Sequence, residues 1–174
     1  ALKAETSRSG PTLGYFEESS PAVKAAPGWR YEIAPAASGR QHLVASDAST
    51  DLTITFEGAQ LDVIVRRAPS AGMLYVSIDG KPADALPRDA QGRAFLDLSG
   101  SSERWQVQVP VARQLRKSAH TATISYKAPG GPVSFDAFVV SDTSSHWPLG
   151  AVVLVGAAAV FIDLTMLWRE SRKR

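Results

Sequence analysis

Two adjacent carboxylates, Glu17 and Glu18, are the side chains whose types and spacing could most directly do chemistry. Such a pair could serve general acid–base catalysis, or it could hold a calcium ion, which takes oxygen ligands. A solvated charged edge is the interpretation that the sequence favours, because carboxylates are mostly exposed on protein surfaces, and we therefore predict no metal site. The role of the pair therefore depends on which side chains the fold places beside it.

The histidines and serines show no catalytic or metal-binding spacing. His42, His120 and His146 are far apart, and none lies in an H-x-x-x-H pattern. We expect His120 to be structural, and a Ser-His-Asp triad would need distant parts of the chain to meet, since no serine lies in a G-x-S-x-G elbow. The sequence has no cysteine, no Gly-rich phosphate loop and no haem or quinone signature. We therefore expect no enzymatic activity and no cofactor.

Four aromatic rings, those of Trp29, Tyr31, Tyr75 and Trp105, are candidates for contact with a glycan or a protein partner. Sugar binding usually needs an exposed ring beside hydrogen-bonding side chains. Most of these rings alternate with polar residues along predicted strands, so packing in the core is the competing interpretation.

Alternating hydrophobicity organises the middle of the chain. Over residues 29–140, apolar residues recur at every second position in short runs bounded by Gly, Pro, Asp or Ser, which is typical of strands with one buried face. About nine such strands at this spacing predict an all-β jelly roll or sandwich, with a hairpin turn at Asp79-Gly80. The predicted strands are 29–33, 41–45, 51–57, 61–66, 73–79, 93–98, 105–109, 121–127 and 133–140.

Several short segments also carry a family resemblance. They are FEESSPAV (16–23), GW (28–29), SDA (46–48), LTITFEG (52–58), LYVSIDG (74–80), HTATI (120–124) and FDAFVV (135–140). Together they resemble bacterial galactose-binding-like jelly-roll domains, a group that includes carbohydrate-binding modules. The resemblance implies a jelly-roll β-sandwich, with glycan binding in some members. Related jelly rolls sometimes hold calcium near their joined termini, which adds Asp136 to the candidate pair Glu17 and Glu18.

An apolar segment near the end of the chain predicts a membrane anchor. Residues 149–168 read LGAVVLVGAAAVFIDLTMLW, and a helix of this length at about 1.5 Å per residue spans roughly 30 Å, the thickness of a bilayer's hydrocarbon core. Trp147 and Trp168 flank the segment, where indole rings favour the membrane interface, and Pro148 suits the first turn of a helix. We therefore predict one C-terminal transmembrane helix over residues 148–168.

The flank of this segment predicts its orientation. The basic tail RESRKR at 169–174 is expected in the cytoplasm by the positive-inside rule, which leaves the β domain outside. Within the span, Asp163 is a candidate contact for a partner because a buried charge costs about 2.5–3.5 kcal/mol there, although it could instead reach towards the interface. Gly156 precedes three alanines and would let a neighbouring helix approach closely.

The expected organisation follows from these segments. The divisions are a flexible leader at 1–14, an extracytoplasmic β-sandwich at 15–140, a spacer at 141–147, the membrane helix at 148–168 and a cytoplasmic tail at 169–174. Because the first residues lack an apolar stretch, we expect export to depend on a removed signal peptide or an upstream membrane segment. The expected location is the bacterial cytoplasmic membrane.

The charge and the predicted architecture limit the functions that the chain could have. The net charge is only +2 and the basic residues are scattered, so we expect no nucleic-acid partner. Our leading expectation is a non-catalytic accessory subunit of a bacterial membrane complex, with a respiratory or photosynthetic electron-transfer complex as the suggested host and other subunits and lipid as partners. The alternative is a membrane-tethered module that binds glycan or another envelope component.

Overall fold

Alternation along the chain produces strands rather than helices. The computed structural model describes residues 10–46, 48–128 and 130–142, and within them the chain forms thirteen strands and one 3-10 turn at Ser38–Arg40. The strands are β1 (Gly14–Glu17), β2 (Val23–Ala25), β3 (Arg30–Ile33), β4 (Gln41–Ala45), β5 (Thr50–Gly58), β6 (Gln60–Arg67), β7 (Met73–Ile78), β8 (Lys81–Pro82), β9 (Phe95–Asp97), β10 (Arg104–Ala112), β11 (Ser118–Tyr126), β12 (Val133–Phe135) and β13 (Ala137–Ser141). The expectation of an all-β domain is confirmed.

One layer is a six-stranded antiparallel sheet in the order β2-β5-β11-β7-β8, with β9 paired to the first half of β7. In β5, Leu52, Ile54 and Phe56 are fully buried, and the residues between them point outward. Because successive side chains of a strand point to opposite faces, this pattern gives the sheet one core face and one outward face.

The second layer combines a four-stranded sheet, β1-β13-β6-β10, with a three-stranded sheet, β12-β4-β3. The chain passes from one to the other at Asp136, between β12 and β13, where the Asp136 N–H donates to the carbonyl of Ile64 at 2.9 Å. The predicted single strand over 133–140 is therefore divided at this acid. Asp136 breaks the run because its buried carboxylate turns towards polar partners.

A single hydrophobic cluster fills the space between the layers. Phe56 and Ile124 come from the six-stranded sheet, and Val63, Phe138 and Leu43 come from the opposite layer. Each is almost fully buried, and burying a side chain of this size stabilises a fold by roughly 1.5–3 kcal/mol. The sandwich expected from the sequence is confirmed.

Two turns depend on glycine, and the first of them is the hairpin turn that the sequence predicts. Asp79 and Gly80, with φ of 52° and 76°, join β7 to β8 in a left-handed conformation that suits this pair. Between β5 and β6, Gly58 approaches the opposite layer so closely that a Cβ there would lie 2.5 Å from Cγ1 of Val140. Glycine at position 58 therefore permits the contact between the layers.

The ends of the domain differ from the expected divisions. Residues 10–13, expected in the leader, lie beside β5, where the Pro11 carbonyl accepts from the Glu57 N–H at 3.0 Å. Ser141, expected in the spacer, ends β13. The alternation did not predict three strands: β1 and β2 precede the alternating region, and β8 has only two residues. Trp29, expected to start a strand, instead precedes β3.

The predicted membrane segment at 148–168, including Gly156 and Asp163, and the basic tail lie outside the described residues. Within the part of the chain that the structure describes, no helix has the length and apolar character needed to cross a bilayer.

Candidate functional site

The outward face of the six-stranded sheet carries rows of hydroxyl side chains. The strand register aligns Thr53 of β5, Thr123 of β11 and Ser77 of β7, and it sets Thr55 beside Thr121. Directly opposed residues have Cβ atoms about 4.5–5.5 Å apart, so these side chains form a continuous polar surface. Hydroxyls both donate and accept hydrogen bonds, and the surface therefore suits a ligand rich in hydroxyls.

A groove of about 270 Å³ opens at the β7 side of this face, and we call it the outer-face groove. It is lined by Tyr75, Val76, Ser77, Gly80, Pro82, Arg93, Ala94, Ser125 and Lys127. The strand β7 supplies the floor, since Tyr75 and Ser77 point outward between buried neighbours. Polar groups thus converge on a partly apolar depression, which is the usual composition of a small-molecule site.

Arg93 and Tyr75 form a pre-ordered pair in the outer-face groove. The Arg93 Cζ lies 4.2 Å from the centre of the Tyr75 ring, and Arg93 Nη2 donates to Tyr75 Oη at 3.2 Å. Asp89 accepts from Arg93 Nε at 2.7 Å, and this hydrogen bond raises the pKa of Arg93. Arg93 Nε and Nη2 already donate within the domain, but the side chain is still 51% exposed, so the remaining part of the guanidinium can meet a ligand.

A Ser-His-Asp chain of contacts forms beside the groove, although no motif predicted it. His120 Nδ1 lies 2.6 Å from Asp79 Oδ2, and His120 Nε2 lies 3.3 Å from Ser118 Oγ. The same Nε2 lies closer, at 2.8 Å, to the carbonyl oxygen of Arg116. A carbonyl only accepts, so Nε2 must carry a proton and cannot take one from Ser118.

The His120 ring therefore links two loops, with an acceptor oxygen beside each ring nitrogen. Burial alone lowers the pKa of His120, but the Arg116 carbonyl and the Asp79 carboxylate together raise it above the ordinary histidine value. Asp79 also accepts from the Thr121 N–H at 2.9 Å. This arrangement agrees with the structural role expected for His120 and fixes the turn that carries Gly80 into the groove.

The acidic residues Glu17, Glu18 and Asp136 meet at the junction between β1 and β13. One oxygen from each lies within 4.8 Å of the others, and Glu18 and Asp136 are 1% and 0% exposed. The Ser38 N–H donates to both carboxylate oxygens of Asp136 at 3.1 Å, and Ser38 Oγ donates to Glu17 Oε1 at 2.8 Å. The solvated edge considered from the sequence is wrong for this cluster.

The buried oxygens of this acid cluster suit a hard divalent cation. Glu17 Oε2 and both carboxylate oxygens of Glu18 have no hydrogen-bond partner among the described residues. Burial raises the pKa of Asp136 to about 6, with Glu17 and Glu18 acting in the same direction against the Ser38 N–H. Burial also raises the pKa of Glu18. Calcium takes such oxygen ligands, so these residues fit it as a structural ion.

The four predicted aromatic contacts do not share one platform. Trp29 is 9% exposed and belongs to the core, while Tyr31 is 57% exposed on the edge strand β3. The rings of Trp105 and His42 meet edge to face with their centres 5.0 Å apart, and the Arg66 guanidinium lies over the Trp105 ring. Tyr75 alone lines the outer-face groove.

Sequence reasoning missed the residues that complete the groove. Arg93 is the first residue of the predicted strand 93–98 but precedes the observed strand β9, and Asp89 lies in the loop before it. Only a spacing of four residues between opposite charges hinted at the pair. His42 is structural, because its Nδ1 lies 2.8 Å from Ser134 Oγ and burial lowers its pKa. His146 lies outside the described residues.

Comparison with solved structures finds the same fold in domains of carbohydrate-active proteins. A two-domain esterase active on acetylated mannans, co-crystallised with mannopentaose, matches with a TM-score of 0.55 and 14% identity over 76% of this chain and 37% of that chain. A family two carbohydrate esterase from Cellvibrio japonicus matches with a TM-score of 0.53 and 16% identity, over 75% of this chain and 34% of that chain. A Paenibacillus xanthan lyase matches with a TM-score of 0.55 and 12% identity, over 76% of this chain and 13% of that chain.

The chain thus spans about a third of the length of the two esterases and a smaller share of the lyase. At these identities the likeness shows the fold alone, a β-sandwich of the kind that the sequence predicts. No protein-family model matches the chain, and no curated protein matches its sequence.

Proposed function

We propose that this chain is a non-catalytic glycan-binding module, tethered to the bacterial cytoplasmic membrane by residues 148–168, with the sandwich outside the cytoplasm. The observation that carries the proposal is the outer-face groove, where Tyr75 and a partly exposed Arg93 adjoin rows of threonine and serine hydroxyls. A sugar offers hydroxyls to such donors and acceptors and an apolar ring face to an aromatic or guanidinium plane.

The fold comparisons support this alternative over an accessory subunit of an electron-transfer complex. The matched esterases and lyase are carbohydrate-active enzymes, and this chain covers only part of each of them. Fold alone does not assign a ligand. The groove therefore carries the proposal, and the fold agrees with it.

The non-catalytic character rests on hydrogen bonding at His120. A general base needs a free ring nitrogen, and both nitrogens of His120 face acceptors on Asp79 and Arg116. Glu18 and Asp136 of the acid cluster are buried, so a glycan could not reach these two carboxylates.

A binding measurement tests the proposal. The full chain in mild detergent is screened on a glycan array and titrated calorimetrically with manno- and cello-oligosaccharides. We expect Tyr75→Ala and Arg93→Ala each to weaken binding by about tenfold, because aromatic and arginine contacts dominate binding energy. Tyr31→Ala is the matched control, since this exposed ring lies on β3 in the other layer. A chain that binds no glycan in either assay would refute the proposal.

A protein-docking role is the second candidate, and one observation favours it. Strand β3 lies at a sheet edge and exposes Tyr31 at 57% and Ile33 at 86%. Exposed edge strands with apolar side chains are sites where another chain can pair. Mild-detergent purification followed by mass spectrometry tests this role, and a stoichiometric partner that Ile33→Lys releases would establish it.

A further inference from the structure

A second cleft adjoins the outer-face groove. This flank cleft, about 290 Å³ in volume, opens along the outer side of β9, between the edges of the two layers. It is lined by Arg67, Ala85, Leu86, Pro87, Phe95, Leu96, Asp97, Ser99, Val109 and Pro110. Arg93 and Ala94 line the groove, and the next residues, Phe95 to Asp97, line the flank cleft. The strand β9 therefore separates two neighbouring depressions.

The strand register places the two depressions on a continuous surface. Phe95 pairs with Tyr75, and Asp97 pairs with Met73, so all four side chains point to the outward face. Opposed side chains are about 4.5–5.5 Å apart at Cβ. Phe95 is half-buried and Met73 is 36% exposed, so an apolar strip connects the groove to the cleft.

The flank cleft has the composition of a binding site in its own right. Pro87, Val109 and Pro110 give it apolar walls, and Phe95 supplies an aromatic ring. Arg67 also lines the cleft. Its guanidinium carries several N–H donors in a planar arrangement that suits ligand oxygens.

The sizes of the two depressions indicate a ligand that crosses between them. At about 270 and 290 Å³, each lies just below the range of roughly 300–1,000 Å³ typical of small-molecule sites. Each alone holds a short stretch of a polymer, and together they accommodate a longer one.

We propose that the ligand is an extended linear glycan that runs from the outer-face groove across β9 into the flank cleft. This inference rests on the proposed glycan-binding function and specifies its ligand as a polymer rather than a single sugar. Phe95 supplies the apolar contact at the crossing, and Arg67 donates to a ligand oxygen in the flank cleft. Tyr75 and Arg93 hold the portion in the groove.

Calorimetric titration of the full chain with biose and hexaose members of the manno- and cello-oligosaccharide series tests the crossing. We expect the hexaose of the recognised series to bind at least tenfold more tightly than its biose. Phe95→Ala and Arg67→Met are each expected to weaken hexaose binding far more than biose binding, and so to remove most of that advantage. Tyr75→Ala should weaken both lengths.

The controls separate this inference from the proposed function. Thermal unfolding monitors each variant, and Arg67→Met keeps the aliphatic stem, so it reports on the flank cleft even where Phe95→Ala unfolds the domain. Equal affinities for the two lengths, or a length advantage that both variants retain, would overturn the crossing and leave the glycan-binding function standing. Failure of every oligosaccharide to bind would instead refute the function itself.

Discussion

Asp136 lies at the point where the chain changes sheets, and its environment makes its protonation part of the fold. Burial beside Glu17 and Glu18 raises the pKa of Asp136 to about 6, from an unfolded value of 3.8. The folded state therefore holds a proton that the unfolded state releases between these values. Without a divalent ion, this group's contribution to stability is greatest below about pH 4 and falls as the pH rises towards 6, by roughly 1.4 kcal/mol for each unit of difference in pKa.

Chemical denaturation from pH 4 to 8 in chelator measures this contribution as the difference between the wild type and Asp136→Asn. We expect the wild type to lose stability relative to Asp136→Asn as the pH rises. Calcium at pH 7.5 should raise the thermal midpoint of the wild type and have much less effect on the variant, because the ion replaces the missing proton. A difference that is flat with pH, together with equal calcium responses, would contradict this account of the cluster.

His120 acts at the scale of elements, because it ties the β7–β8 turn to the loop before β11. Its pKa is raised, so the stability that it contributes is fully present below 6.5 and is lost as the pH rises through its folded pKa. The pKa of Asp79 is lowered, chiefly by the His120 hydrogen bond acting against burial, so its contribution is lost only in acid. His120→Gln should cost about 1 kcal/mol near pH 5–6 and less at pH 8.5.

Urea denaturation of His120→Gln and Asp79→Asn at both pH values checks the link between the two loops. The two variants should show similar pH dependence, because either one removes the same ion pair. A cost of His120→Gln that grows with pH would show that the ring is neutral in the fold.

The turn between β5 and β6 gives a second prediction at the element scale. Gly58→Ala would place a Cβ 2.5 Å from Cγ1 of Val140, a buried and stiff β-branched residue. We expect a loss of about 1–3 kcal/mol by overpacking, measured by urea denaturation. Gly100→Ala is the control, since its Cβ would meet nothing closer than 3.4 Å. Adding Val140→Ala should recover part of the strain, and purely additive losses would argue against this contact.

At the scale of the whole molecule, the membrane anchor and its orientation remain predictions from the sequence. The chain has no cysteine, so single-cysteine variants can report which side of the membrane each region occupies. In spheroplasts, a membrane-impermeant maleimide should label Ile33→Cys, which replaces a side chain that is 86% exposed. Ser171→Cys in the basic tail should react only after lysis. The opposite pattern would place the sandwich in the cytoplasm and remove the proposed access to envelope glycans.

Sequence alone determined the class of the domain and the approximate position of most strands. Alternation is a local property, because successive side chains of a strand point to opposite faces, and runs such as Leu52, Ile54 and Phe56 show it directly. The Asp79-Gly80 turn was predictable for the same reason, since its backbone conformation depends on these two residues. The expected sandwich followed from the number and spacing of the runs.

Only the tertiary structure decided which side chains meet. Ser38 reaches Asp136 across 98 residues, and His120 reaches Asp79 across 41, distances over which no local pattern operates. The location of each aromatic ring depends on the strand or loop that covers it. Trp29 therefore lies in the core, while Tyr75 lines a groove beside Arg93. Whether a side chain is exposed, and which side chains it contacts, depends on the neighbouring strands. Strand pairing in turn depends on the packing of the whole sandwich.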